Sequence, residues 1–129
     1  MLKLLAIPAL LAGGAQAYFQ WIYDYNYESF HTAGDNFTIS WDTLGRTDTF
    51  KLELATYLIT PVSTPFGADY EFESIVLNDN ENYADGSYTW TVDVQDGRVG
   101  DKWFYNFIAT DNRDYEATYA REIFVQEAS

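Results

Sequence analysis

Over residues 36–42 apolar and polar side chains alternate without a break: Phe37, Ile39 and Trp41 fall between Asn36, Thr38, Ser40 and Asp42. An extended strand places successive side chains on opposite faces, so this pattern demands a sheet with one dry and one wet face. β-Branched and aromatic residues favour that state. Gly34 and Asp35 before the run, and Thr43, Leu44 and Gly45 after it, supply turn chemistry at both ends. A second alternating run, Ser87 to Val92, follows Gly86 and offers a facing wall.

The rest of the chain repeats the theme. Phe50, Leu52 and Leu54 alternate within residues 49–56. Tyr70 and Phe72 open a further strand over 70–77, where Ile75 and Leu77 leave the Tyr70/Phe72 face and so predict a bulge. Pro61 and Pro65 exclude a central strand over 59–67. Residues 78–86 read as an acidic, Asn-rich turn, and 95–101 as a loop. In 87–94, Tyr88, Trp90, Val92 and Val94 point inward. Residues 103–110 are apolar on both faces, as for a strand central in its sheet. A closing strand over 119–126 turns Ile123 and Val125 inward. With no amphipathic helix, the pattern is all-β: an immunoglobulin-like antiparallel β-sandwich of about seven strands. It has no disulfide, because the chain has no cysteine.

Residues 1–17 read as a secretory signal peptide. Lys3 gives the basic start, residues 4–11 the apolar centre, and Ala15-Gln16-Ala17 the small-x-small cleavage site. The segment is too short for a membrane span. The mature chain, 18–129, then forms a single domain, secreted to the extracellular space or cell wall. No hydrophobic C-terminal tail is seen that would direct a membrane anchor.

The mature start is strongly aromatic. Phe19, Trp21, Tyr23, Tyr25 and Tyr27 share one face if residues 18–27 are extended. Such a stripe is either core or a stacking platform for sugar rings. Tyr25 and Tyr27 run past the length of an ordinary sandwich strand. Trp21, Tyr23, Tyr25 and Tyr27 are therefore the candidate ligand-binding residues. Asn36-Phe37-Thr38 is an N-glycosylation sequon, with Asn36 on the polar face near a strand start.

Charge and residue types exclude several functions. A formal net charge of −13 opposes binding to nucleic acid, which needs a Lys/Arg surplus, and opposes docking on anionic membranes. His31 is the only histidine, so a multi-imidazole metal site is not available within the chain and a Ser-His-Asp triad has this one possible base; it is expected to be a surface or loop residue. No Gly-x-Ser-x-Gly elbow occurs. Asp79, Glu81 and Asp85 fail the EF-hand spacing, since Tyr83 stands where the loop glycine belongs. Some pair among 20 acidic residues will lie close by chance, which is no argument for a glycosidase. The expectation is no catalytic residues, no cofactor and no metal.

The order of these motifs resembles one family. A secretory signal and aromatic strand precede Gly34, Thr38, Ile39 and Trp41, then Phe50 to Leu54. Gly86-Ser87-Tyr88-Thr89-Trp90 follows, then 103–109 and the closing Ile123-Phe124-Val125. This resembles the N-terminal domain of fungal killer-toxin-resistance/KNH-like cell-wall biogenesis proteins, shared by Ser/Thr-rich GPI-anchored proteins, over about residues 19–126. The resemblance implies an immunoglobulin-like sandwich in a cell-wall setting, linked in some members to β-glucan assembly, with no catalytic residues to carry over. The chain departs from the family in having Tyr25-Asn26-Tyr27-Glu28-Ser29 where many members carry proline, and in lacking a Ser/Thr-rich stalk and anchor. The expected function is a non-enzymatic, cell-wall-associated secreted module. The alternatives are a carbohydrate-binding module or an effector that binds a host protein. Partners are then cell-wall polysaccharide, such as β-glucan, or an extracellular protein.

Overall fold

The computed structural model describes residues 18–23, 27 and 29–128. The leader expected over 1–17, and Tyr25, lie outside the described residues. The described residues form the strands β1 (Trp21–Ile22), β2 (Phe30–Thr32), β3 (Asn36–Trp41), β4 (Thr49–Leu58), β5 (Val62–Thr64), β6 (Gly67–Asp69), β7 (Glu73–Asn82), β8 (Ser87–Thr91), β9 (Trp103–Asp111), β10 (Ala117–Tyr119) and β11 (Phe124–Gln126). One 3-10 turn, Tyr83–Asp85, links β7 to β8.

Two antiparallel sheets carry the fold. The first has the order β1-β3-β8 and the second β10-β9-β4-β7. The chain changes sheet between β3 and β4, between β7 and β8, and again between β8 and β9, so each crossing wraps the two sheets around one interior. Beside them, β2 pairs with β11 in parallel, and β5 with β6 as a separate hairpin.

The alternation of β3 survives intact: Phe37, Ile39 and Trp41 are buried, while Asn36 and Thr38 are exposed. Its dry face meets Phe50, Leu52 and Leu54 of β4 and Tyr105, Phe107 and Ala109 of β9 in a single core. Rings lock the layers together. Trp41 lies edge-on to Phe50 at 5.1 Å and Trp90 edge-on to Phe107 at 5.5 Å. Each such edge-to-face pair adds about 0.5–1.5 kcal/mol beyond its buried area.

Polar groups close the two ends of this core. At one end Tyr83 is wholly buried, donates its hydroxyl to Asp111 at 2.9 Å, and lies beneath the Arg46 guanidinium at 4.0 Å. Arg46 also pairs with Asp111 at 2.6 Å and with Asp48. At the other end Arg98, buried, donates to the Thr56 carbonyl at 3.0 Å and the Glu71 carbonyl at 2.7 Å, and covers Trp103 at 4.5 Å. The Tyr105 hydroxyl donates to the Arg98 carbonyl at 2.6 Å and accepts from the Gln95 amide at 2.9 Å, which pins the loop before β9.

Four expectations are corrected. The aromatic run 18–27 is not strand throughout: among its described residues only Trp21–Ile22 (β1) are strand. Residues 78–86 are not a turn, because β7 runs to Asn82 and only Tyr83–Asp85 turn. Asn78, Asp79 and Asn80 belong to a strand at the sheet margin, where polar side chains stay wet without leaving the ladder. The strand expected over 70–77 starts only at Glu73, so Tyr70 and Phe72 precede it; the bulge expected there is present, with Leu77 the extra residue between Val76 and Asn78, and a second irregularity lies opposite Phe50/Leu52. The closing strand over 119–126 is split. β10 ends at Tyr119, Ala120 bonds to the Phe107 carbonyl, and the chain then changes partner to run beside β2.

Candidate functional site

The described members of the N-terminal stripe are tied to the body of the protein. Phe19 is core. Trp21 is half-buried and donates its indole N–H to the Thr118 carbonyl at 3.1 Å. Tyr27 packs edge-on against Phe37 at 5.2 Å, and burial raises its phenol pKa. Tyr23 is 37 % exposed; its hydroxyl accepts from the Arg121 amide, the Arg121 guanidinium covers its ring at 4.1 Å, and its plane stands 82° from that of Tyr27. These rings share a neighbourhood but not a plane. His31 is on β2 rather than in a loop, half-buried with its ring 4.2 Å from that of Phe37. Asn36 is exposed at the start of β3, on a polar face where Thr91 donates to it at 3.1 Å and Thr38 bonds Thr89.

A different aromatic surface lies on the far side of the four-stranded sheet. On β4 and β9 the residues between the core positions point outward: Lys51, Glu53, Ala55 and Tyr57 against Thr110, Ile108, Asn106 and Phe104. Tyr57 and Phe104 are register partners with rings 5.4 Å apart. Phe72 extends the row beyond Tyr57 at 5.8 Å. Phe124 extends it beyond Phe104 at 5.6 Å, and Phe30 beyond Phe124 at 5.1 Å. Four of the rings sit on β4, β9, β11 and β2 and Phe72 on the segment just before β7, so the row is roughly 20 Å long, four intervals at about the 4.8 Å strand spacing. Phe72 is 50 % and Phe30 49 % exposed, and the three rings between them are half-buried. Apolar side chains in such a line, outside a core that is already complete, mark an interaction surface.

Beside the row runs a trough. Its floor is small: Ser74, Ala55 and Asn106 lie in register across β7, β4 and β9. Its far bank is Val76, Glu53, Ile108 and Tyr119, also in register. Ala55 is fully buried, Asn106 is 2 % exposed, and Tyr119 on the bank is 52 % exposed. Burial, then the charges of Glu122 and Tyr119, push the Tyr57 phenol pKa up, so that hydroxyl stays a donor. The face thus joins apolar rings to hydroxyl, amide and carboxylate groups.

Sequence reasoning did not assemble this face. Its one linear trace was the double-sided apolar character of 103–110, where Phe104 stands on the side away from the core.

Two acidic groups are perturbed by acidic neighbours. Burial, then a hydrogen bond shared with Asp85, raises the Glu81 carboxyl, while a hydrogen bond shared with Asp96 raises Glu73. Among the described residues no group of three or more His, Asp and Glu is placed to hold a metal ion. No family model, no curated protein and no solved structure matches the chain.

Proposed function

We propose that this chain is a non-enzymatic, secreted, immunoglobulin-like module that holds a neutral cell-wall polysaccharide, such as a β-glucan, on the outer face of its four-stranded sheet. The observation that carries the reading is the continuous row Phe72–Tyr57–Phe104–Phe124–Phe30 beside a polar trough. Rings bind the apolar faces of sugars, and the hydroxyls beside them need the polar groups that the trough supplies. A net charge of −13 disfavours anionic polymers.

Further observations support the remaining parts. The β1-β3-β8 and β10-β9-β4-β7 division, with a Tyr105 hydroxyl reaching back to the Arg98 carbonyl at the entry to β9, suits an immunoglobulin-like sandwich. Asn36 is a glycan acceptor on the opposite, three-stranded side, where a sugar chain leaves the aromatic row bare. A mass shift on endoglycosidase treatment of protein secreted by a eukaryotic host checks this, and an unchanged mass rejects it.

The functional test is sedimentation of residues 18–129 with insoluble β-1,3-glucan, β-1,6-glucan, chitin and cellulose. Retention on one polymer is expected. Recovery in the supernatant with all four overturns the reading.

A further inference from the structure

The trough contains a group that the fold does not use. Asn106 sits on β9 between Tyr105 and Phe107, both fully buried in the core, so its side chain leaves on the outer face. Its Nδ2 donates to the Ala120 carbonyl at 2.6 Å. That carbonyl can only accept, so the orientation of the amide is fixed and Oδ1 is the atom left over. Oδ1 is buried and has no hydrogen-bond partner among the described residues. Buried polar atoms are nearly always satisfied, and one that is not calls for a water, an ion or a ligand.

The surroundings say which. Opposite Asn106 on β4 is Ala55, the smallest side chain of the floor and itself fully buried. Tyr57 and Phe104 flank one side, and Glu53, Ile108 and Tyr119 the other. Two carboxylates, Glu53 in the trough and Glu122 near Tyr57, add acceptors. An anion is repelled here, whereas a neutral molecule rich in hydroxyl donors finds acceptors beside apolar rings.

We propose that Asn106 is a specificity-determining residue of this face, its Oδ1 accepting a hydrogen bond from a hydroxyl of the bound sugar. The inference rests on the polysaccharide reading and assigns that site its buried polar contact. Oδ1 is buried, so the contact requires a side chain of the bank, such as the half-exposed Tyr119, to turn aside. A sugar lacking a hydroxyl at that position leaves Oδ1 unpaired and binds more weakly, which makes the contact selective rather than merely adhesive.

The test is an NMR titration of ¹⁵N-labelled residues 18–129 with soluble oligosaccharides of β-1,3-glucan, β-1,6-glucan, chitin and cellulose, run beside Asn106→Leu. One sugar is expected to shift the Asn106 side-chain amide together with the backbone amides of Tyr57 and Phe104. Asn106→Leu is expected to bind that sugar about tenfold more weakly, the worth of one hydrogen bond. If the Tyr57 and Phe104 signals move while the Asn106 amide stays still and Asn106→Leu binds like the wild type, this inference is overturned and the polysaccharide reading stands. If no sugar moves any signal, both fall. Should Asn106→Leu fail to fold, the side-chain amide of the wild-type protein still decides.

Discussion

Asp111→Asn tests the buried charge cluster that closes one end of the core. Burial opposes ionisation of Asp111, but hydrogen bonds from Arg46 at 2.6 Å, from the Arg113 amide at 2.7 Å and from the Tyr83 hydroxyl at 2.9 Å outweigh it, and its pKa falls from 3.8 to about 2. A carboxylate stabilised to that degree contributes about 2–3 kcal/mol at neutral pH. The substitution also deprives Arg46, whose side chain is 8 % exposed, of one carboxylate. Breaking a buried pair usually costs about 3–5 kcal/mol. Asp48, 43 % exposed, remains as a partner, so the lower end of that range is expected, about 3 kcal/mol. The native pKa is depressed, so the contribution is complete above the ordinary value of 3.8 and is lost as pH falls through about 2. Urea unfolding of both proteins from about pH 7 to about pH 2 reads this directly. The gap between the two curves should be largest at neutral pH and should close in acid. A gap below about 0.5 kcal/mol at pH 7, or one that does not change with pH, refutes the reasoning.

Three further outcomes follow from the structure. Glu81→Gln should raise the melting temperature at neutral pH, because burial and Asp85 disfavour the ionised carboxylate; the gain should vanish below its ordinary value of 4.5, where Glu81 is protonated in both folded and unfolded chains. Thermal melts across that range decide, and a gain that persists in acid contradicts it. Tyr105→Phe leaves the buried Arg98 carbonyl and the Gln95 amide without their shared partner and should cost about 1–3 kcal/mol in urea unfolding, with an unchanged m-value. Phe107→Ala, at a fully buried ring touching both sheets, should cost about 3–5 kcal/mol; a loss under 1 kcal/mol would mean the two sheets do not pack as described.

How much of this was legible depends on how far apart the cooperating residues stand in the chain. The core of β3, β4 and β8 could be read directly, because Phe37/Ile39/Trp41, Phe50/Leu52/Leu54 and Trp90/Val92 each announce a buried face by strict alternation. The margin strand β7 could not. Its two extra residues break the period, and Asn78 to Asn80 carry turn-like composition inside an extended ladder. Tyr83 shows the same limit, since a fully buried ring within an acidic stretch is explained only by Arg46 and Asp111, far away in sequence. The aromatic row is the extreme case. Its rings come from five segments far apart in the sequence, at Phe30, Tyr57, Phe72, Phe104 and Phe124, and the register of β4 with β9 and of β11 with β2 brings four of them into line. The N-terminal stripe was conspicuous because its rings are adjacent in sequence, yet Trp21, Tyr23 and Tyr27 are engaged by Thr118, Arg121 and Phe37.

The most direct measurement compares the two aromatic surfaces on one protein. Residues 18–129, a Tyr57→Ala/Phe124→Ala variant and a Trp21→Ala/Tyr23→Ala variant, each shown to be folded, are assayed for retention on β-1,3-glucan, β-1,6-glucan, chitin and cellulose. The expected result is retention of the wild-type and Trp21/Tyr23 proteins on one polymer, and loss of the Tyr57/Phe124 protein to the supernatant. Retention of a folded Tyr57/Phe124 variant at the wild-type level contradicts the assignment of the binding face.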